Sequence, residues 1–228
     1  MPEGRVVDVV DDVALLEAWS RGDRAAGTEL FERHHVSVAR YFQHKAPEAV
    51  QEDLIHETFL ACLTAAARFR GEARFQTFLL GIAHRVLADH LRRLGRRMAR
   101  LGSETDPEEI PAISLGLSPV ATAVHHEERR LLLEALRRIP LIHQIALELH
   151  YWEDLTAAEI SDLLGVPLGT AKTRLRDGRA YLEAQLRELA RSPESPQSPL
   201  DDLDQWARRV RDQLLAPPEP PPRSPPRP

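Results

Sequence analysis

A single cysteine among 228 residues leaves no partner for an internal disulfide. Cys62 lies within the apolar pattern of a helix and is expected to be a small core residue rather than a redox centre. Lysine is nearly absent: all but Lys45 and Lys172 of the 30 basic residues are arginine. Arginine favours two-pronged contacts to carboxylates, phosphates and base edges, although high-GC coding produces the same bias. No run approaches the roughly 20 apolar residues that cross a bilayer. The start Met-Pro-Glu-Gly-Arg also lacks the basic and apolar segments of a signal peptide, so the expectation is a cytoplasmic chain without membrane insertion. The ten histidines include no His-x-x-x-His or His-Glu-x-x-His pair; His34-His35 and His125-His126 are adjacent and diverge on a helix. With no phosphate-cradling glycine loop and no activated nucleophile either, no metal, cofactor, catalytic residue or enzyme activity is expected.

The formal net charge of -5 conceals strong segregation. Six arginines stand against one aspartate from Arg85 to Arg100, whereas Ser103 to Glu128 holds six acidic residues and no lysine or arginine. Helical period dominates and no convincing strand or internal repeat is present, so the fold class is all-α. Helices are predicted at Asp11–Arg21, Arg24–His44, Gln51–Phe69 and Ala73–Arg100. Inward faces should include Leu54, Ile55, Phe59, Cys62, Leu63 and Ala66 on the third, and Phe75, Phe78, Leu79, Ile82 and Val86 on the fourth.

Residues 103–124 lack sustained period and read as a flexible acidic linker between two small helical domains, 1–102 and 125–191. The second should contain helices at His126–Arg138, Leu141–Trp152, Ala157–Leu164 and Leu168–Arg191. Eleven of the 18 prolines follow Ser192, which excludes a packed continuation for most of the tail 192–228. Leu203, Trp206, Val210 and Leu214 nevertheless recur at helical spacing, and predict a short amphipathic helix near 201–215 that modulates activity. A disordered appendage is the alternative.

Thr156 and Glu159 have capping-box spacing, Gly165 suits a left-handed helix end, and Pro167 suits the start of the next helix. This is a helix-turn-helix layout. With Leu168, Ala171, Leu175 and Leu182 on one side of the second helix, Thr170, Lys172, Thr173, Arg174 and Arg176 are left to reach a major groove and its phosphates. An exposed hairpin with solvated arginines is the alternative. In the first half, Thr77, His84 and Arg92 are expected on a solvent face beside the turn Phe69 to Ala73, which contains Arg70, Gly71 and Glu72. Such parts can track a single strand, with Phe75 and Phe78 packing the core instead. Asp53, His56, Glu57 and Leu60 line up opposite the buried stripe of their helix, as an acidic face suited to a basic partner helix or simply solvated.

Three segments, Glu-Asp-Leu-Ile-His-Glu-Thr-Phe-Leu, Phe-Arg-Gly-Glu-Ala-Arg-Phe-x-Thr-Phe-Leu and Leu-Thr-x-x-Glu-Ile-x-x-Leu-Leu-Gly-Val-Pro-x-Gly-Thr, occur in this order. Over about residues 12–190 the chain resembles the bacterial extracytoplasmic-function (ECF) sigma factors. The resemblance implies a transcription initiation factor acting as a monomer on core RNA polymerase, docked through Asp53, His56, Glu57 and Leu60. Residues 69–93, including Arg70, Gly71, Glu72, Thr77, His84, Arg85 and Arg92, would hold the melted start-proximal promoter element. The helix-turn-helix would read the upstream element as duplex, and an anti-sigma factor or other sequestering partner is expected. A free-standing helix-turn-helix regulator that binds operator DNA without core polymerase is the alternative, but it would need a ligand pocket or dimer seam in the first half.

His56 stands where the family commonly has Gln, Phe78 where it has Trp, Arg85 where Asn is frequent, and Asp177 and Gly178 where a basic residue and Ala are usual. A helix-interior glycine costs about 1 kcal/mol relative to alanine, so the second helix is expected to bend or fray after Arg176. Two DNA contacts about two helical turns apart lie roughly 70 Å from each other. An extended linker of this length reaches about 70–80 Å. Its acidic cluster Glu104, Asp106, Glu108 and Glu109 would avoid DNA and suit a basic polymerase channel. A weakly basic reader of this kind is expected to bind promoters poorly without polymerase.

Overall fold

The computed structural model describes residues 11–69, 74–100, 106–115, 127–189 and 208. Among these are eight α-helices and no strand, in agreement with the all-α reading. Helices α1 (Asp12–Ser20), α2 (Arg24–Phe42), α3 (Glu48–Ala65) and α4 (Phe75–Ala99) form a first unit. A second comprises α5 (Glu127–Arg137), α6 (Leu141–Tyr151), α7 (Ala157–Leu164) and α8 (Leu168–Leu189). The predicted tail helix near 201–215 lies outside the described residues except for Arg208, which is helical and exposed.

Local chemistry explains several boundaries. The Asp23 carboxylate accepts from the Ala25 and Ala26 amides at 2.9 and 3.2 Å, so it caps α2. Helix α2 ends because His44 adopts a left-handed φ of 67°, which lets Lys45 N and Ala46 N donate back to Phe42 O. The face opposite the solvent then supplies the core: Leu54, Ile55, Phe59 and Cys62 from α3, and Phe75, Leu79, Ile82 and Val86 from α4, are buried as their spacing predicts. Leu63, Ala66 and Phe78 are only partly buried. Phe78 completes an aromatic cluster with Phe69 and Phe75, at centroid distances of 4.7 and 6.2 Å. Cys62 is fully enclosed, and burial pushes its thiol up to about 12, as befits an inert core residue.

The two units are not held apart. Their buried residues belong to one cluster that runs from Leu15 to Leu186, and α4 packs directly on α7. The described part of the linker is folded rather than extended. Its residues form short 3-10 turns at Pro107–Glu109 and Ala112–Leu115, the first started by Asp106, whose carboxylate accepts from Glu108 N at 2.9 Å. Pro107 lies against α4 beside Gly95, while Ile110 O accepts from Leu141 N at 3.2 Å and ties the strap to α6. The 70–80 Å reach expected of an extended chain is therefore not used in this arrangement.

Candidate nucleic-acid interface

Helices α7 and α8 form the predicted helix-turn-helix. Thr156 N donates to Glu159 Oε2 at 2.8 Å and Glu159 N to Thr156 Oγ1 at 3.3 Å, a complete capping box. These bonds hold the Glu159 carboxyl below its ordinary value. Gly165 ends α7 at φ 64°, where a side chain would be strained. The Ser161 hydroxyl then spans the turn by donating to Val166 O at 2.7 Å. Ile160, Leu163 and Leu164 of α7, with Ala171, Leu175, Leu182 and Leu186 of α8, are buried.

Helix α8 leaves Lys172, Thr173 and Arg176 exposed and Thr170 and Arg174 partly so. Two expectations need correction. Leu168 is 43% exposed, because it occupies the first turn of α8, ahead of the stripe that meets α7 and α6. The helix is also continuous through Gly178 to Leu189, without a break after Arg176. The reason is packing: a Cβ on Gly178 would stand 3.2 Å from both His143 Cβ and Leu147 Cγ of α6. Glycine lets α6 approach this closely, and the burial gained there offsets its poor helix propensity. The His143 ring also donates through Nδ1 to Arg174 O at 3.0 Å, so α6 grips the helix behind its outward residues. At the outer face Arg176 Nε donates to Asp177 Oδ1 at 2.8 Å, and this pairing raises the guanidinium pKa.

On α4, Arg85 and Arg92 are exposed, with Arg92 paired to Asp89, and Thr77 is partly buried. His84 departs from the expected solvent face. It is half-buried, with its Nδ1 3.0 Å from the Tyr41 hydroxyl. Burial, aided by the nearby charges of Arg174, Arg85 and Lys45, lowers its pKa to about 4. Arg70, Gly71 and Glu72 lie outside the described residues. The α3 face is open as expected: Asp53, His56 and Glu57 are exposed and Leu60 is 65% exposed. Glu57 lies 3.7 Å from the Arg93 guanidinium of α4, and His56 stacks on Phe31. No group of side chains able to hold a metal ion occurs among the described residues, and none of the described helices is long and apolar enough to cross a membrane.

Sequence reasoning missed a set of ionic residues between the units. Lys45 is completely buried, pairs with Glu148 of α6, and lies 4.8 Å from the Tyr41 ring centroid. Gln144 Nε2 donates to the other Glu148 oxygen at 2.8 Å. Nearby, Glu153 accepts from Ser37 Oγ at 3.3 Å and from Gln76, and lies 3.3 Å from the Arg40 guanidinium. Burial raises the Glu153 carboxyl against the pull of Arg40. A fully inward lysine after a helix end was the available signal, but helical period places only apolar stripes.

Comparison with known proteins gives this geometry a context. Residues 30–97 match the family model "Sigma-70 region 2" and residues 129–182 match "Sigma-70, region 4". The chain is 25% identical over 186 residues to the ECF RNA polymerase sigma-E factor of Escherichia coli K12, spanning 79% of this chain and 96% of that one. The Haemophilus influenzae sigma-E factor is 24% identical over 188 residues, 81% of this chain and all of that one. Two solved structures share the fold. CnrH, in complex with the cytosolic domain of CnrY, gives a TM-score of 0.54 at 22% identity over 78% of this chain and 97% of that one. Bartonella quintana RpoE, in complex with the anti-sigma factor NepR, gives 0.53 at 15% identity over 70% and 96%.

Proposed function

Because the chain belongs to the ECF group of sigma-70 factors, which are DNA-binding transcription initiation factors, we propose that it binds core RNA polymerase and directs it to specific promoters in the cytoplasm. The observation that carries the promoter-reading part is the complete helix-turn-helix: a capped α7, a left-handed Gly165, and an α8 buried on one side and outward with Thr170, Lys172, Thr173, Arg174 and Arg176 on the other. These residues contact the upstream element as duplex, the arginines and lysine on phosphates and base edges and the threonines within the groove. Residues of α4 and the preceding turn hold the start-proximal element as a melted strand, with Arg85 and Arg92 on its phosphates. The α3 face of Asp53, His56, Glu57 and Leu60 docks on the polymerase: three polar groups steer a basic helix and the exposed leucine is buried on contact. Bond making belongs to the polymerase, and this chain contributes binding and orientation. Since the two structural neighbours are bound to an anti-sigma factor and to a cytosolic partner domain, a sequestering anti-sigma partner is part of this reading.

The deciding experiment measures binding of the full chain to bacterial core RNA polymerase, with Asp53→Arg and a version ending at Arg191 alongside. Binding that Asp53→Arg weakens by about tenfold supports the docking face. No binding by any form refutes the polymerase reading, and a difference between the two lengths assigns the tail a regulatory role.

A further inference from the structure

Between Leu168 and Leu182 helix α8 carries four basic residues, Lys172, Arg174, Arg176 and Arg179, and a single carboxylate, Asp177. Burial of Ala171, Leu175, Gly178 and Leu182 sets the opposite side of the helix outward. Gly169, Thr173, Arg176 and Ala180 follow one another along that outermost line at spacings of three and four, and all four are exposed. Arg176 is the one long side chain among them, so it reaches furthest from the helix axis. Asp177 lies at the edge of the same line and is half-buried. We infer that Asp177 is a positioning residue for sequence reading: it presents the Arg176 guanidinium end-on to one guanine and keeps it off the neighbouring phosphates. The inference rests on the reading of α8 as the helix that contacts duplex DNA.

The geometry of the pair carries this. Arg21, Arg92 and Arg187 meet carboxylates three or four residues away, the spacing at which side chains of one helix are neighbours. Arg176 has Lys172, Thr173, Arg179 and Ala180 at those positions and bonds instead to the residue beside it. With side chains 75% and 38% exposed, such a pair adds little to stability, so its effect lies elsewhere. The bond runs from Arg176 Nε to Asp177 Oδ1 at 2.8 Å. It uses the inner donor of the guanidinium and leaves both terminal nitrogens, a parallel two-pronged edge. Guanine offers the matching pair of acceptors, N7 and O6, in the major groove. Holding the guanidinium in place before contact reduces the side-chain freedom lost on binding. The carboxylate has a second effect through its charge. Beside a phosphate it is repelled, so an Arg176 tied to Asp177 is turned from the DNA backbone towards the bases, and general affinity is exchanged for sequence preference.

The test uses the full chain bound to bacterial core RNA polymerase and a pool of random-sequence duplexes, from which the bound molecules are recovered and sequenced. Arg176→Ala should erase a preference for guanine at one position, and that position is the readout. Asp177→Ala should weaken the same preference by about tenfold, within the worth of one two-pronged base contact. Its binding to the unselected pool should become stronger, and should fall more steeply with salt by about one released counterion, as Arg176 turns to a phosphate. In the Arg176→Ala background, Asp177→Ala should change no base preference further, because the carboxylate acts through the arginine. A guanine preference in Asp177→Ala equal to that of the parent overturns the inference, and so does a loss spread evenly over all positions, the mark of a damaged helix. Arg176→Ala that alters no position also overturns it; a selection still altered by Thr173→Ala would then leave α8 standing as the duplex reader. A parent complex that selects no sequence at all overturns both the inference and the reading beneath it.

Discussion

Gly178 and Lys45 occupy opposite ends of the side-chain scale, and each is fixed by what lies across from it. Gly178→Val would drive two methyl groups into the contact with His143 and Leu147. Overpacking of this kind costs about 1–3 kcal/mol, so a lowered denaturation midpoint is expected, with helix α8 intact by circular dichroism. Lys45→Ala leaves the half-buried Glu148 beside Gln144 without its cation. Removing one partner of a buried pair costs on the order of 3–5 kcal/mol, to be read as faster hydrogen exchange at α6. A free molecule whose exchange is unchanged by Lys45→Ala would mean that the pair is not maintained in solution.

At the scale of elements, α7 shows how a boundary is encoded. Thr156→Ala removes the acceptor for the Glu159 amide and should cost about 1 kcal/mol, seen as faster amide exchange in the first turn of α7 and weaker duplex binding by the polymerase complex. Helix α7 was legible in full, because the capping box and Gly165 mark both its ends and Ile160, Leu163 and Leu164 its inner face. The other helices were legible to within a few residues for the same reason. What the sequence did not disclose was where polar faces meet. Helical period separates apolar from polar, yet His84 on the polar side of α4 is half-buried and bonded to Tyr41, because α2 brings a polar group of its own to that side. Gly178 misled in the same way: its cost is local and visible, while the close crossing with α6 that compensates it is a tertiary fact. The linker looked featureless because a strap of 3-10 turns carries no long period.

For the whole molecule, the packing of the two units is coupled to protons. Burial lowers His44 to about 4, reinforced by Lys45 and Arg137, and His84 to about 4, reinforced by Arg174, Arg85 and Lys45. A histidine kept neutral in the packed arrangement and free to titrate near 6.5 when exposed contributes its full stabilisation above pH 6.5. That contribution is lost as the pH falls from 6.5 towards 4. Each loses about 1.4 kcal/mol per pH unit across this window. Glu108 and Glu153, raised by burial, act in the opposite sense, most strongly towards the acid end. Lowering the pH from about 7.5 to about 5.5 should therefore expand the molecule in scattering, and an unchanged profile would show that the two rings stay neutral after opening as well. The scarcity of lysine offers a different view of the same equilibrium. With the two units packed together the Lys45 amine is fully enclosed, whereas Lys172 faces solvent. Of the two lysines, brief treatment with an amine acylating reagent should mark Lys172 alone, and the yield of label on Lys45, read by peptide mass spectrometry, becomes a built-in gauge of the fraction of molecules whose units have separated.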